Sequence, residues 1–223
     1  MGVVVVAAGS GTRLGADRPK AFVEIEGVTI LERAVSGVLQ APVDELVVVV
    51  PEDLVAEATE LVDPLRPKGV DVTVVAGGAE RTDSVAAGLA ALGEDVDVVL
   101  VHDAARCLTP VAVFERVLAA LTAGAAGAIP GVPVVDTIKV VDAAGVITAT
   151  PLRESLRAVQ TPQGFDRAVL VAAHASGAVA TDDAALVEAL GHDVVVVEGD
   201  LLAMKITTVD DLARAERLLA TAD

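Results

Sequence analysis

The chain has 223 residues, which suits one α/β domain with a sizeable core. Its formal net charge of −17 argues against general affinity for nucleic acid or for an anionic membrane surface, because both need a basic face. There is no Trp or Tyr and only one cysteine, Cys107. Base stacking on aromatic rings, disulfides within the chain and a cysteine-based metal cluster are therefore not expected.

Two features of the sequence indicate the cellular location. The first residues lack the charged leader of a secretory signal, and no apolar run reaches the roughly 18 to 20 residues of a membrane span. We therefore expect a cytoplasmic protein that does not bind membranes.

Short Val-rich runs alternate with longer stretches rich in Ala, Leu and Glu, a pattern typical of βαβ units and a mostly parallel sheet. The pattern predicts strands near 2–8, 45–50, 71–76, 96–102, 127–135 and 193–198. It predicts helices near 29–40, 52–62, 81–92, 110–122, 165–176, 182–190 and 209–221. In such sheets, ligands bind beyond the carboxyl ends of the strands, where the charged loops of this chain are expected.

The first strand runs directly into a glycine-rich loop that carries two cations, Arg13 and Lys20. Unshielded N–H groups around Gly9 and Gly11 can approach phosphate oxygens, and the two cations can reach different parts of one polyanion. The dinucleotide fingerprint does not fit, because Leu14 takes the place of its third glycine, and the P-loop pattern does not occur. An ordinary tight strand-to-helix turn is the alternative for the glycines alone.

Two further loops carry candidate binding groups. Gly77 and Gly78 lead into a helix whose free N–H groups and Ser84 hydroxyl can read a base edge, or can simply form a capped turn. After the strand near 96–102, Asp103 can hold a metal ion or a substrate hydroxyl and Arg106 a phosphate. An ion pair between these two residues is the structural alternative. We interpret His102, within the strand, as structural, whereas His174 and His192 lack the spacing of metal ligands and are expected at helix ends.

Residues 132–150 break the alternation and predict a β-hairpin that turns at about Asp142 to Gly145. A lone hairpin is marginal in water, so its apolar side chains need a partner surface on this domain or on another subunit. We favour a projecting arm that dimerises. Asp136, Thr137, Lys139 and Arg153 would then enter the partner's site. Lys205, just before the last helix, is a surface lysine unless a phosphate lies near it.

Together these segments closely resemble the 2-C-methyl-D-erythritol 4-phosphate cytidylyltransferases of the non-mevalonate isoprenoid pathway, over nearly the whole chain. The motifs occur in the family's order: Ala7-Ala8-Gly9-Ser10-Gly11-Thr12-Arg13-Leu14-Gly15 with Pro19-Lys20, Gly77-Gly78 through Arg81, Ser84-Val85, Gly88-Leu89, Val101-His102-Asp103-Ala104-Ala105-Arg106, Asp136-Thr137-Ile138-Lys139, Thr161-Pro162-Gln163 and Thr181-Asp182-Asp183-Ala184. Several separated motifs in register are far more specific than any one of them.

The resemblance implies a fold: a Rossmann-like, three-layer, mostly parallel sheet of the nucleotide-diphospho-sugar transferase type. It implies one nucleotidyltransferase domain over 1–223, with a dimerising β-arm at about 132–155. It also implies a reaction in which CTP and methylerythritol phosphate give the CDP-linked alcohol and pyrophosphate.

The resemblance further assigns roles to residues. Those matching Arg13 and Lys20 stabilise charge at the α-phosphorus. Methylerythritol phosphate is positioned by residues matching Asp103, Arg106, Thr137, Arg153 and Lys205. The nucleotide is bound around Ala7, Ala8, Gly9, Ser10, Gly11, Thr12, Gly78, Ala79, Arg81, Ser84 and Asp103. Mg²⁺ accompanies the triphosphate, held mainly by phosphates, with Asp103 as the candidate protein ligand.

The sequence departs from the family pattern at two positions, and two alternative functions fit parts of the sequence. Cys107 replaces the family's usual proline, which makes the orientation of Arg106 less secure, and Ala79 replaces a common acidic residue. A cytidylyltransferase for another polyol phosphate, such as ribitol 5-phosphate, would share the same loops. A catalytically silent nucleotide-binding regulator would be expected to lack Arg13, Lys20 or Arg153, and all three are present.

Overall fold

A computed structural model describes residues 1–9, 11, 14–15, 18–178 and 180–221. Its strands are β1 Gly2–Val6, β2 Glu24–Ile25, β3 Val28–Thr29, β4 Glu45–Val50, β5 Asp71–Ala76, β6 Val98–Asp103, β7 Gly127–Pro133, β8 Val140–Val141, β9 Ile147–Ala149, β10 Arg157–Val159, β11 Gln163–Asp166 and β12 Val194–Glu198. Its α-helices are α1 Ile30–Val38, α2 Val55–Val62, α3 Arg81–Ala91, α4 Val111–Thr122, α5 Arg167–Ala175, α6 Asp183–Ala189 and α7 Val209–Leu219.

Within the described residues, a mostly parallel sheet of eight strands forms the centre of the fold, in the order β10-β7-β11-β6-β1-β4-β5, with β12 also paired to β7. β1 pairs in parallel with β4 on one side and with β6 on the other. The chain therefore moves outward from β1 through β4 to β5 and then returns to the opposite side of β1. That reversal is a topological switch point, the place where open α/β sheets bind their ligands.

Both faces of the central strands are covered, which explains why β1 and β4 are almost continuous runs of valine. In β1, Val3 and Val5 pack in the core on one face with residues of α1, α2, α4 and α7. Val4, between them, packs on the other face with residues of α3, α5 and α6. Alternate side chains of a strand point to opposite faces, so each face needs its own apolar set. The predicted three-layer arrangement is confirmed.

The last helix begins as predicted. Thr208 is the N-cap of α7, and its side chain accepts a hydrogen bond from the N–H of Asp211 while the Asp211 carboxylate accepts from the N–H of Thr208. This capping box satisfies donors that the first turn leaves free.

The predicted hairpin is present as the pair β8 and β9, and Asp142 holds its turn by accepting hydrogen bonds from the N–H groups of Ala144 and Val146. We call residues 132–155 the arm. Its apolar side chains remain exposed: Val140 at 47%, Val146 at 60% and Ile147 at 58%. The arm therefore does not fold onto its own sheet, which was the alternative for this segment.

Two strands of the main sheet were not predicted, and both run antiparallel to their neighbours. β11 lies between β6 and β7 in the sheet, with Phe165 fully buried. The predicted helix at 165–176 was therefore wrong at its start: Asp166 ends the strand and caps α5, which begins at Arg167. β10 pairs with β7. Strands of three or four residues carry too little periodicity to be recognised, and non-local pairing decides them.

Among the described residues, no helix combines the length and the apolar character that crossing a bilayer requires.

Candidate active site

A cavity of about 170 Å³ lies at the switch point, at the carboxyl ends of β1, β5 and β6. It is lined by Val6, Ala7, Ala8, Gly9, Lys20, Ala21, Gly78, Ala79, Glu80, Arg81, Ser84, Asp103, Ala104, Ala105 and Lys205. The two glycine loops and the loop after β6, which were separate motifs in the sequence, form its walls.

The first wall is the loop after β1. The N–H of Ala7 donates to the carbonyl of Val49 at 2.7 Å, and a Cβ on Gly9 would meet nothing within 4 Å, so the backbone there is open to a ligand. Gly11 has φ +64°, and a Cβ there would lie 2.4 Å from the Cβ of Lys20. Only glycine fits both constraints. Ser10, Thr12 and the predicted catalytic residue Arg13 lie outside the described residues.

The second wall is the turn from β5 into α3. A Cβ on Gly78 would lie 2.2 Å from the Cβ of Asp83, so the turn has no room for a side chain. The N–H of Gly78 donates to Ser84 Oγ at 3.2 Å, and that hydroxyl donates to the carbonyl of Glu80 at 3.2 Å. These bonds fix the turn, so a backbone surface faces the cavity in one conformation.

A chain of ion pairs crosses the floor of the cavity. Lys205 Nζ lies 2.7 Å from Asp103 Oδ2, and Arg81 Nε lies 3.3 Å from Asp103 Oδ1. Arg81 Nη1 lies 2.8 Å from Oδ2 of Asp183, a carboxylate with no exposure. His174 Nε2 lies 2.9 Å from the other oxygen of Asp183. Five residues from distant segments of the chain thus form one network.

The network fixes the charges of its central members. Burial alone would raise the pKa of Asp103, but the attraction of Arg81 and Lys205 holds that pKa far below its usual range. Burial would lower the pKa of Arg81, and the carboxylates of Asp183 and Asp103 raise it instead. Both groups are therefore charged at neutral pH, and the cavity presents a carboxylate flanked by two cations.

The sequence matches a protein family over residues 1–221, described as IspD: 2-C-methyl-D-erythritol 4-phosphate cytidylyltransferase. The 2-C-methyl-D-erythritol 4-phosphate cytidylyltransferase of Rhodococcus jostii (strain RHA1) is 54% identical over 218 residues, which are 97% of this chain and 93% of that protein. The bifunctional enzyme IspD/IspF of Clavibacter michiganensis is 55% identical over 99% of this chain, which spans only 54% of that relative.

The chain belongs to the 2-C-methyl-D-erythritol 4-phosphate cytidylyltransferase family. Solved structures agree. The 4-diphosphocytidyl-2C-methyl-D-erythritol synthase of Anaerococcus prevotii superposes with a TM-score of 0.86 at 28% identity, covering 98% of this chain and 97% of its own. The 2-C-methyl-D-erythritol 4-phosphate cytidylyltransferase of Thermus thermophilus superposes with a TM-score of 0.78 at 37% identity, covering 97% and 98%.

Most residues predicted for a cytidylyltransferase site, where the structure describes them, line this one cavity. They are Ala7, Ala8, Gly9, Lys20, Gly78, Ala79, Arg81, Ser84, Asp103 and Lys205. Gly11 lies beside the cavity, against the backbone of Lys20. The individual roles of these residues stay predictions. The structure shows that these residues, which are distant in the sequence, line the same cavity.

Arg106 does not line the cavity, although it was predicted to bind the acceptor. Its Nη1 donates to the carbonyl of Ala203 at 2.7 Å and its Nη2 to that of Val159 at 3.2 Å. Arg106 thus ties strand β10, which follows the arm, to the segment before Lys205. These bonds hold its orientation although Cys107, a buried free thiol, replaces the family's usual proline.

Thr137 and Arg153 also lie away from the cavity of their own chain, on the exposed arm. Arg153 Nη1 donates to the carbonyl of Val135 at 3.0 Å, so its charge stays on the arm surface. If these residues bind the acceptor, they reach a site on another subunit, as the sequence predicted.

Two members of the network received no role from sequence reasoning. Asp183 was noticed only as part of a family motif, and His174 only as a helix-end histidine. Asp183 is far along the chain from Arg81 and lies 9 residues from His174, and spacing alone does not indicate such contacts. His102 is structural as predicted: it is buried, with Nδ1 3.0 Å from Thr161 Oγ1.

Proposed function

We propose that this member of the cytidylyltransferase family uses the switch-point cavity to transfer CMP from CTP to 2-C-methyl-D-erythritol 4-phosphate, releasing pyrophosphate. The observation that carries the assignment to this cavity is the convergence of two glycine-containing loops with Lys20, Arg81 and Lys205 around one space. Such a space offers backbone donors and fixed cations to a polyanion.

In this proposal the cytosine lies against the fixed turn at Gly78 and Ser84, and the triphosphate lies over the open backbone at Gly9. Lys20 lines the cavity together with Gly9 of the loop after β1. In this proposal its ammonium lies near the α-phosphorus, where negative charge builds as the acceptor phosphate attacks. Arg13, outside the described residues, is the second cation assigned to that charge. Preorganised cations at such a position stabilise the transition state without reorganising during the reaction.

The acceptor phosphate lies on the Lys205 side of Asp103. It is already an anion, so the reaction needs in-line placement and electrostatic stabilisation but no strong general base. His102, which precedes Asp103 in β6, fits this view because burial lowers its pKa to about 4 and it faces the protein interior.

We propose that Mg²⁺ enters with the triphosphate. In the part of the chain that the structure describes, no group of three or more His, Cys, Asp or Glu is arranged to hold a metal ion. Asp103 is the candidate ligand, but both of its oxygens are paired with cations. This donor set fits an ion held mainly by phosphate oxygens, which is how Mg²⁺ commonly binds nucleotides. The ion would neutralise phosphate charge.

We further propose a cytoplasmic homodimer joined through the arm. The exposed Val140, Val146 and Ile147 support a protein partner for this surface, because apolar patches of this kind mark interaction sites. Lys139 and Arg153 on the same arm would bring positive charge to the acceptor side of the partner's cavity.

The test is pyrophosphate release from CTP, measured with and without Mg²⁺ against a panel of polyol phosphates. We expect release with methylerythritol phosphate and at least about tenfold lower kcat/KM with ribitol 5-phosphate, since unpaired polar groups penalise a wrong acceptor. Equal use of both acceptors would contradict the assigned substrate, and full activity without Mg²⁺ would contradict the cofactor.

A further inference from the structure

A buried polar segment, Gln160 to Gln163, lies directly beneath the ion-pair network. Gln160 is 6% exposed, Thr161 4% and Gln163 2%. Buried amides and hydroxyls are retained in proteins when they make hydrogen bonds, so their partners reveal what they hold in place.

Gln160 holds the segment that carries Lys205. Its Oε1 accepts from the N–H of Asp200 at 3.0 Å and its Nε2 donates to the carbonyl of Asp200 at 2.7 Å. Asp200 caps the short 3₁₀ helix Leu201–Ala203 by accepting from the N–H of Leu202. Lys205 lies two residues after that helix. The two hydrogen bonds from Gln160 to Asp200, which we call a clamp, therefore fix the backbone from which the Lys205 side chain extends.

Gln163 makes a matching clamp on the other side. Its Oε1 accepts from the N–H of Ala184 at 3.1 Å, and its Nε2 donates to Oδ2 of Asp182 at 2.8 Å. These two contacts flank Asp183, the buried carboxylate that pairs with Arg81. Gln163 therefore fixes the part of α6 against which the Arg81 guanidinium rests.

Thr161 joins the two clamps at the centre of the network. Its Oγ1 accepts from the N–H of Asp103 at 3.0 Å. One four-residue segment thus contacts the supports of all three charged residues on the cavity floor: Lys205, Asp103 and Arg81.

We propose that Gln160 and Gln163 are positioning residues with separate targets. Gln160 sets Lys205 and thereby acceptor binding, whereas Gln163 sets Arg81 through Asp183 and thereby nucleotide binding. This inference rests on the proposed function, which places the acceptor beside Lys205, and on the assignment of Arg81, which lines the same cavity, to the nucleotide. Neither glutamine lines the cavity, so each acts only through the residue that it holds.

The experiment compares Gln160→Met with Gln163→Met, each the control for the other, because both replace a buried amide of the same shape and burial. We expect Gln160→Met to raise KM for methylerythritol phosphate about tenfold and KM for CTP less than about threefold, and Gln163→Met to do the reverse. Partial unfolding would instead lower the active fraction, and therefore the apparent kcat, without changing either KM.

Two additions make the result decisive. Adding Gln160→Met to Lys205→Ala should weaken acceptor binding no further, and adding Gln163→Met to Arg81→Ala should weaken CTP binding no further. If a methionine variant melts below the assay temperature, all proteins, wild type included, are assayed at a lower temperature at which that variant is folded.

Equal effects of both variants on both substrates, or no effect on either, would overturn the inference while the wild-type chain still turned over. A wild-type chain inactive with CTP and methylerythritol phosphate would instead refute the proposed function.

Discussion

At the scale of single residues, the site depends on Asp103. This carboxylate is 8% exposed and carries ion pairs from two side chains, of Arg81 and of Lys205. Removing either cation would leave a buried charge partly uncompensated, which is costly in a low-dielectric surrounding. We infer that the pairs keep the cavity floor rigid, while Lys20, on a separate loop, meets the charge that changes during the reaction.

The role of Lys20 can be tested by Lys20→Ala. We expect turnover to fall on the order of 10²–10³-fold, because one preorganised charged donor is lost from the transition state, while CTP binding stays measurable. Steady-state kinetics and titration calorimetry with CTP measure the two effects. Lys68→Ala, at an exposed lysine remote from the cavity, is the control. Retained turnover in Lys20→Ala would contradict the assigned role.

The lowered pKa of His102 predicts how the free energy of unfolding depends on pH. Burial lowers its pKa from 6.5 to about 4, against the opposing attraction of Asp103. The unfolded chain therefore takes up this proton first as the pH falls, so the stability from neutral His102 is complete above pH 6.5 and lost between 6.5 and about 4.

The loss should reach roughly 3 kcal/mol at about pH 4. His102→Gln, which keeps a group able to bond Thr161, should show a shallower fall in unfolding free energy over that window. Denaturant unfolding at several pH values measures it. Parallel curves for the two proteins would show that His102 does not titrate in this way.

At the scale of elements, the arm contrasts with the rest of the fold. The central strands β1 and β4 are buried on both faces, but β8 and β9 pair only with each other in the described chain and leave their apolar side chains in solvent. An isolated two-stranded ribbon is marginally stable in water. In the proposed dimer, a second subunit would cover these exposed side chains.

Ile147→Glu tests whether the arm makes a dimer. A carboxylate buried without a partner at an interface costs several kcal/mol, so we expect the dimer to weaken about a hundredfold or more. Sedimentation velocity across a dilution series measures this. Val171→Glu, at a similarly exposed valine on α5, should leave association unchanged. A monomeric wild-type chain, or a dimer insensitive to Ile147→Glu, would refute the assigned interface.

At the scale of the whole molecule, the predicted site residues do not all meet within one chain. The cavity at the switch point gathers most of them, Lys205 included, whereas Thr137 and Arg153 lie on the arm. If the arm reaches a second subunit, each site combines the glycine loops of one chain with the arm of the other. Subunit pairing would then be part of catalysis.

Mixing two inactive variants tests shared sites. Lys20→Ala damages the cavity and Arg153→Ala damages the arm, so a mixed dimer contains one site that combines an intact cavity with an intact arm. We expect the mixture to recover up to about a quarter of wild-type activity when subunits exchange at random. Activity assays after joint refolding measure it. A mixture as inactive as its components would favour sites built within single chains.

The sequence by itself determined the alternation of strands and helices, the glycine loops and the projecting hairpin, because each is written in local periodicity, turn residues or contiguous motifs. Gly78 is an example: the turn needs glycine, and the residue type indicates it directly.

Only the tertiary structure decided which distant groups meet. Lys205 keeps 39% of its side chain exposed, and only the fold shows that its Nζ lies 2.7 Å from Asp103 Oδ2. Arg106 was predicted to bind the acceptor, and the fold places its guanidinium outside the cavity lining, bonded to two carbonyls. Strand β11 and the partners Asp183 and His174 were decided in the same way. The physical reason is that ion pairs and strand pairings join residues that are distant in the sequence. Their energies depend on separation in space and on burial, and not on the identity of neighbouring residues in the chain.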